Sequence, residues 1–123
     1  MTPAPPLPDL LAALAQRVPE RVQYLPAEAM ARVRLWGCWQ RVYLDETGDI
    51  VTHVGASYLE LSLREECDAR EWEWELEGKA GKAVATVWSG AVGAEYCHLG
   101  ITPSPAHALA CAMVAALSGE EEG

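Results

Sequence analysis

A short pattern that occurs twice constrains the fold of this chain more than any other feature of its sequence. The pattern is a histidine, an apolar residue, a glycine, an apolar residue and a hydroxyl residue. It stands at residues 53–57 and returns 45 positions later at 98–102, and in the same register Gly48 falls on Gly93. Two stretches of about thirty residues therefore share one order: strand, glycine turn, strand, the pattern itself and a helix. We expect the glycines of the two patterns to have matching backbone conformations.

We interpret the two stretches as a duplicated ββα unit, with one copy at residues 38–69 and the other at 84–117. A helix start is indicated at Ser57, which stands three residues before Glu60 in the spacing of a capping box. Each helix is expected to start within about two residues of its marker, which is Ser57 for the first and residues 102–104 for the second. The fold class that follows is α+β: a single compact domain in which one antiparallel sheet, built from both hairpins, is covered by the helices.

The remaining segments add elements at both ends. Residues 1–8 contain four prolines and predict an irregular lead-in to a helix that ends near Val18. A second short helical signal begins at Pro26, with a strand from Val33 onward as the alternative. Residues 118–123 contain three glutamates and predict a helix stop followed by a frayed acidic tail.

The segment 71–77 alternates strictly between glutamate and large apolar residues. In an extended chain successive side chains point to opposite faces, so Trp72, Trp74 and Leu76 would share one face and four glutamates the other. This alternation predicts a strand whose tryptophans point into the core. A helix continuing from Ser57 is the alternative, because it would place Trp72 and Leu76 one turn apart.

The charge of the chain restricts the classes of partner that it can bind. Nine Lys and Arg against eighteen Asp and Glu give a net charge of −9. Direct binding to nucleic acid is disfavoured, because that affinity depends on cations that neutralise phosphates. A basic surface of another protein is the partner that such a chain suits.

The expected compartment follows from what the sequence lacks. No apolar run approaches the ~20 residues of a membrane span, and the first residues lack the basic start and apolar block of a signal peptide. We therefore expect a cytoplasmic protein with no membrane partner. In that compartment the four cysteines are expected to be free thiols; they are Cys38, Cys67, Cys97 and Cys111.

One group of residues has the ligand chemistry for a metal. His107 and Cys111 stand four apart on one face of the last helix, and Cys97 lies on the preceding strand. Zinc prefers such nitrogen and sulfur ligands. However, the sequence has no Cys-x-x-Cys knuckle, and Cys111 lies in the most apolar helix, where a free cysteine acts as a small hydrophobe. We expect no metal and no cofactor, with a zinc-stabilised module or metal-dependent enzyme built on these three residues as the alternative.

Catalysis is not expected from the histidines. His53 and His98 hold equivalent positions in the two patterns, where a ring beside a glycine turn more simply hydrogen-bonds loop backbone. Cys97 and His98 are neighbours on a strand, so their side chains point to opposite faces and cannot form a thiolate–imidazole pair. No catalytic residue is assigned, and the protein is expected not to be an enzyme.

Carboxylates concentrate in one part of the chain. Seven of the eighteen lie within thirteen residues: Glu65, Glu66, Asp68, Glu71, Glu73, Glu75 and Glu77. On a strand, alternate glutamates would be roughly 7 Å apart, so such a row would imitate a line of phosphates toward a basic groove. An ordinary solvated face or a guarded edge strand is the alternative. We take these seven residues as the candidate partner-binding site.

The end of the chain resembles a known family. Residues 100–106 (Gly-Ile-Thr-Pro-Ser-Pro-Ala) follow a predicted hairpin, and residues 109–117 predict an Ala- and Leu-rich helix with a cysteine. This pattern covers about the last forty residues and resembles small phage and prophage proteins of the ABA-sandwich type. The resemblance implies a phage-type accessory protein, and it transfers no catalytic residue.

These observations together favour a non-enzymatic protein-binding module. It would present its carboxylates to a basic site on a host protein, such as a nucleic-acid-binding protein. An inhibitor or accessory factor of host takeover, of the anti-CRISPR kind, would have this size and charge. A self-associating structural subunit, a homodimer included, is a further alternative.

Overall fold

The computed structural model describes residues 4–89 and 97–122 and confirms the α+β class. In chain order its elements are helix α1 (Leu7–Arg17), strands β1 (Val22–Leu25), β2 (Met30–Leu35) and β3 (Cys38–Tyr43), helix α2 (His53–Ala69), strands β4 (Glu73–Lys79), β5 (Lys82–Trp88) and β6 (Cys97–Thr102), and helix α3 (Pro105–Glu122). Within these described ranges, none of the helices is long and apolar enough to cross a membrane.

The described strands form two antiparallel sheets of three strands each, in the orders β1-β2-β3 and β4-β5-β6. Each sheet is followed in the chain by a helix, α2 after the first and α3 after the second. Strands followed by a helix therefore occur twice, in loose agreement with a duplicated ββα unit. The described part of the structure has two sheets where one was expected. The segment around the predicted short helix forms β1 and β2, and β3 pairs with β2 rather than with the second hairpin.

Strand β2 shows why the helical reading after Pro26 fails. Ala31, Val33 and Leu35 are buried and alternate with exposed or half-buried residues, which is the period of a half-buried strand. The helical turn is limited to Pro26–Glu28, since Ala29 adopts a left-handed φ of 49° that ends it. The strand alternative is therefore confirmed, and it begins at Met30 rather than at Val33.

The two copies of the five-residue pattern adopt different conformations. Residues 53–57 lie at the start of α2, whereas residues 98–102 belong to strand β6. Thr52, not Ser57, caps α2: its Oγ1 accepts a hydrogen bond at 2.9 Å from the backbone N–H three residues on. The expected match between the two glycines is therefore wrong, since one is helical and the other is extended.

Prolines explain why the second copy stays extended. Pro103 and Pro105 follow it directly, and a residue before proline is pushed away from the helical region. Helix α3 begins only at Pro105, close to the predicted start. At its other end α3 continues to Glu122, so the predicted stop at Ser118 and Gly119 is wrong. The glutamates there are good helix formers, which favours continuation.

Other predicted elements are found with changed lengths. The segment 71–77 contributes to strand β4 rather than continuing α2, because the chain turns at Glu71, whose φ is 61°. The first hairpin is short: β3 is followed by a single bridge between Leu44 and Ile50. The turn at Gly93 lies outside the described residues.

Helix α3 forms the centre of the core. Its buried residues are mostly small: Ala106, Ala108, Leu109, Ala110, Ala112, Met113, Ala116 and Leu117. It packs on β5 and β6 and also contacts α1 and α2. A Cβ at Gly100 would overlap the carbonyl oxygen of Ala108 and lie 2.9 Å from the Cβ of Cys111. Glycine at this position therefore allows α3 to approach the second sheet closely.

The replacement Gly100→Ala is expected to destabilise the fold by about 1–3 kcal/mol, because the added methyl group requires a shift of α3. Gly78→Ala is the matched control: no atom lies within 4 Å of a Cβ built there. Its free energy of unfolding should change by less than about 1 kcal/mol. Urea denaturation measures both, and equal stabilities of the two variants would contradict the close contact.

Candidate protein-binding site

The outer face of the second sheet brings three candidate glutamates together with apolar side chains. Residues paired between antiparallel strands share a face, and the inner residues of this sheet pack on α3. Lys79 and Lys82 pair with each other at one end of this outer face. The rest of the face carries Glu73, Glu75 and Glu77 on β4, Val84, Thr86 and Trp88 on β5, and Leu99 and Ile101 on β6. These eight residues are termed the acidic sheet face.

Two tryptophans determine the orientation of β4. Trp72, just before the strand, is buried, and Trp74 is half-buried on the inner side. The guanidinium of Arg64 lies 4.6 Å from the centroid of the Trp74 ring, and the indole N–H of Trp74 donates to Asp68 at 3.1 Å. Because side chains alternate, the glutamates on either side of each tryptophan are exposed. The predicted inward tryptophans and outward glutamates are confirmed.

Two apolar side chains of β6 are exposed on the same face as the glutamate row. Leu99 is 56% exposed and pairs with Thr86, while Ile101 is 43% exposed and pairs with Val84. Neither residue is among the candidates selected from the sequence. Their alternation with Gly100 in the sequence indicates that both side chains lie on one face of β6. Which face is exposed to solvent depends on where α3 packs, and the local pattern does not predict that.

Two of the seven candidate carboxylates form salt bridges within the molecule. Glu66 is 7% exposed, and its oxygens accept hydrogen bonds from Nε of Arg21 at 3.0 Å and Nε of Arg70 at 2.6 Å. Glu65 accepts from Nη1 of Arg21 at 2.9 Å and from the backbone N–H of Trp36 at 3.0 Å. These contacts tie α2 to the first sheet, so both carboxylates are already occupied.

Two further candidates are separated from the glutamate row. Asp68 accepts the indole N–H of Trp74, and Glu71 is exposed at the left-handed turn between α2 and β4. The candidates that share one open face of the second sheet are therefore Glu73, Glu75 and Glu77.

The contact with Arg21 shifts the titration of Glu65. The hydrogen bond from Arg21 holds the pKa of Glu65 below its usual value of 4.5, and the N–H of Trp36 acts in the same direction. Because the pKa of this carboxyl group is lower in the folded than in the unfolded chain, the group stabilises the fold at pH values above its usual pKa. This stabilisation is lost as the pH falls through the pKa of the folded state. The side chain is 34% exposed, so solvent screens part of the contribution.

Glu65→Gln is expected to lower the free energy of unfolding at neutral pH by about 0.5–1 kcal/mol, because it removes a partly screened ion pair. Below the usual pKa of 4.5 the difference from wild type should shrink, since the wild-type carboxylate loses its charge as well. Urea unfolding at pH values from neutral to acidic measures this. Glu20→Gln, at an exposed carboxylate, is the control; a pH-independent difference for Glu65→Gln would contradict the assignment.

The histidines occupy separate places. His53 is exposed in the first turn of α2. Nε2 of His98 lies 3.0 Å from Oγ of Ser89, so among the described residues this ring contacts a serine side chain. Nε2 of His107 donates to the carbonyl oxygen of Pro5 at 2.8 Å, which ties the N-terminal segment to α3. For His107 this is a structural contact.

The cysteines are not gathered into a metal or nucleophilic site in the described part of the chain. Among the side chains that the structure describes, no three of His, Cys, Asp or Glu lie close enough to hold a metal ion. Burial raises the pKa of Cys67 to about 12 and also raises that of Cys111, so both thiols remain protonated. The side chain of Cys97 falls outside what the structure describes.

Three comparisons with known proteins return no match. No protein-family model matches the chain, no curated protein sequence matches it, and no solved structure matches it. Function is therefore inferred from the side chains and surfaces described above.

Proposed function

We propose that this protein is a non-enzymatic binding module that holds an extended, basic segment of a partner protein on its acidic sheet face. The observation that supports this function is the row of three exposed carboxylates on β4, which shares one sheet face with the exposed side chains of Leu99 and Ile101 on β6. A face with both features offers charge for orientation and apolar area for affinity.

The carboxylate row is open to a partner. Glu73, Glu75 and Glu77 form no salt bridge with any side chain that the structure describes. Alternate residues on a strand are roughly 7 Å apart, which is also the repeat of an extended peptide. Every second residue of a bound segment would therefore place a Lys or Arg beside one glutamate.

The apolar side chains supply what exposed charge pairs do not. A solvent-exposed ion pair contributes only about 0.2–1 kcal/mol, so three such pairs give weak binding. Covering Leu99 and Ile101 removes apolar area from water at about 25 cal/mol per Å².

The chemistry of the face selects a basic host protein as the partner class. If the partner is a nucleic-acid-binding protein, the glutamate row would bind where the partner holds phosphates. The protein would then inhibit the partner by blocking its nucleic-acid site. The resemblance of about the last forty residues to phage and prophage proteins of the ABA-sandwich type supports an accessory or anti-CRISPR-like role in the host cytoplasm.

The contribution of the glutamate row to binding is tested with a synthetic peptide. Lys and Val alternate in it over about eight residues, so that its lysines repeat every ~7 Å. Glu73→Gln, Glu75→Gln is expected to weaken binding about fivefold, from two exposed pairs of about 0.5 kcal/mol each. Its salt dependence should also fall. Fluorescence anisotropy at low and high salt measures both quantities.

The control for this test is Glu20→Gln, Glu46→Gln, which removes the same charge at exposed positions outside the second sheet. It should bind the peptide like wild type. Equal losses in the two double variants would show that only net charge matters and would overturn the assignment of the face.

The contribution of the exposed apolar side chains to binding is tested by the double variant Leu99→Ser, Ile101→Ser. Peptide binding should weaken about tenfold or more, because roughly half of each exposed side chain no longer gains from burial. The matched control is Val51→Ser, Val54→Ser, a pair that is equally exposed, at 58% each, outside the acidic sheet face. Binding that is retained in the first variant and lost in the second would place the site elsewhere.

A further inference from the structure

The outer face of the first sheet has the opposite charge. Pairing in β1, β2 and β3 places a second set of residues on one side, away from the buried Val33 and Val42. This set is Gln23 and Leu25 on β1, Met30, Arg32 and Arg34 on β2, and Trp39, Arg41 and Tyr43 on β3. None of these side chains is buried. They are termed the arginine sheet face.

Aromatic rings order the guanidinium groups on this face. Arg32 and Arg34 lie 5.7 and 5.8 Å from the centroid of the Trp39 ring. Nη1 of Arg41 reaches the hydroxyl of Tyr43 at 3.5 Å, a long hydrogen bond. Stacked guanidiniums are held in place and weakly hydrated, which makes them suitable for binding carboxylates at an interface.

The three arginines form no salt bridge with the residues that the structure describes. Arg21, Arg64 and Arg70 form salt bridges with glutamates of α2. By contrast, Arg32, Arg34 and Arg41 form none with any side chain that the structure describes. Three of the nine cations of an acidic chain are thus collected on one open face without a salt bridge, and Glu28 acts on Arg41 only as a weaker electrostatic neighbour. This arrangement points to an anionic surface as the occupant.

The chain itself carries a surface of matching chemistry. The acidic sheet face presents three carboxylates, also on a three-stranded sheet, and also beside aromatic and aliphatic side chains. Charged side chains repeat at roughly 7 Å along β2 and along β4, because both rows alternate on strands. Nucleic acid is a poorer match, since the three arginines of this face would neutralise few of its phosphates.

We propose that the arginine sheet face of one molecule docks on the acidic sheet face of a second copy. Such a contact joins two different patches, so each molecule keeps one free face of each kind and the assembly grows head to tail. The inference goes beyond the proposed function, because it requires no other partner and is measured on the protein alone. It also means that self-association covers the acidic sheet face and competes with the partner.

Sedimentation velocity over a range of protein concentrations tests this contact. For wild type, the average mass should rise with concentration at about 20 mM salt and return to that of a monomer at about 500 mM, where charges are screened. Arg32→Gln, Arg34→Gln and Glu73→Gln, Glu75→Gln should each weaken self-association at least about fivefold. Glu20→Gln, Glu46→Gln should associate like wild type.

A mixture of the two weakened variants gives the decisive result. One variant keeps its acidic sheet face and the other keeps its arginine sheet face, so a 1:1 mixture should form a dimer and no larger species. A wild type that is monomeric at every concentration and salt, or a mixture that does not associate, would overturn the proposal. So would binding of a single-stranded oligonucleotide that disappears in Arg32→Gln, Arg34→Gln, because it would assign that face to nucleic acid.

Discussion

Close packing of small residues between α3 and the second sheet is the interaction on which the rest of the structure depends. Ala83, Ala85 and Gly100 line the inner face of the sheet, opposite a helix whose buried positions are mostly alanines. Dense contact of this kind is sensitive to a single added methylene. Once the inner face is covered, the alternation of each strand leaves its other residues in solvent. The exposed glutamates and Leu99 are thus a consequence of small residues on the opposite side.

The first sheet packs on buried leucines of α2 and is also tied to that helix by charge. Arg21 donates to both Glu65 and Glu66 on α2, and its Nη1 also donates to the carbonyl oxygen of Arg34 at 3.0 Å. The hydroxyl of Ser62 donates to that same oxygen at 2.6 Å. The acid-rich stretch therefore has two parts: its helical carboxylates hold the fold together, and its strand carboxylates remain free. The left-handed turn after α2 is the boundary between them.

Local patterns predicted some elements well and could not predict their assembly. The alternation of 71–77 gave a strand with the correct face, since the tryptophans have only one way to be buried. Met30–Leu35 has the same alternation, but Pro26 just before it favours a helix as well as a tight turn. The local pattern therefore does not decide between helix and strand there. The repeated pattern does not predict a repeated conformation, because the residues around its two copies differ. Thr52 caps a helix that begins at the first copy, whereas prolines follow the second copy and keep it out of the helix. Exposure of Leu99 required knowing which side α3 covers.

The net charge of −9 describes neither of the two outer faces. At physiological salt, charges are screened over about 8 Å, so a surface responds mainly to the groups that touch it. An acidic chain can therefore carry a basic surface, provided that its cations are gathered on one sheet and its free carboxylates on the other. Placing both on one chain couples them. Under the two proposals together, a partner for the acidic sheet face would have to displace a second copy, so its apparent affinity would fall by the fraction of molecules whose face is already covered. Protein concentration then decides whether the face meets another copy or a different partner.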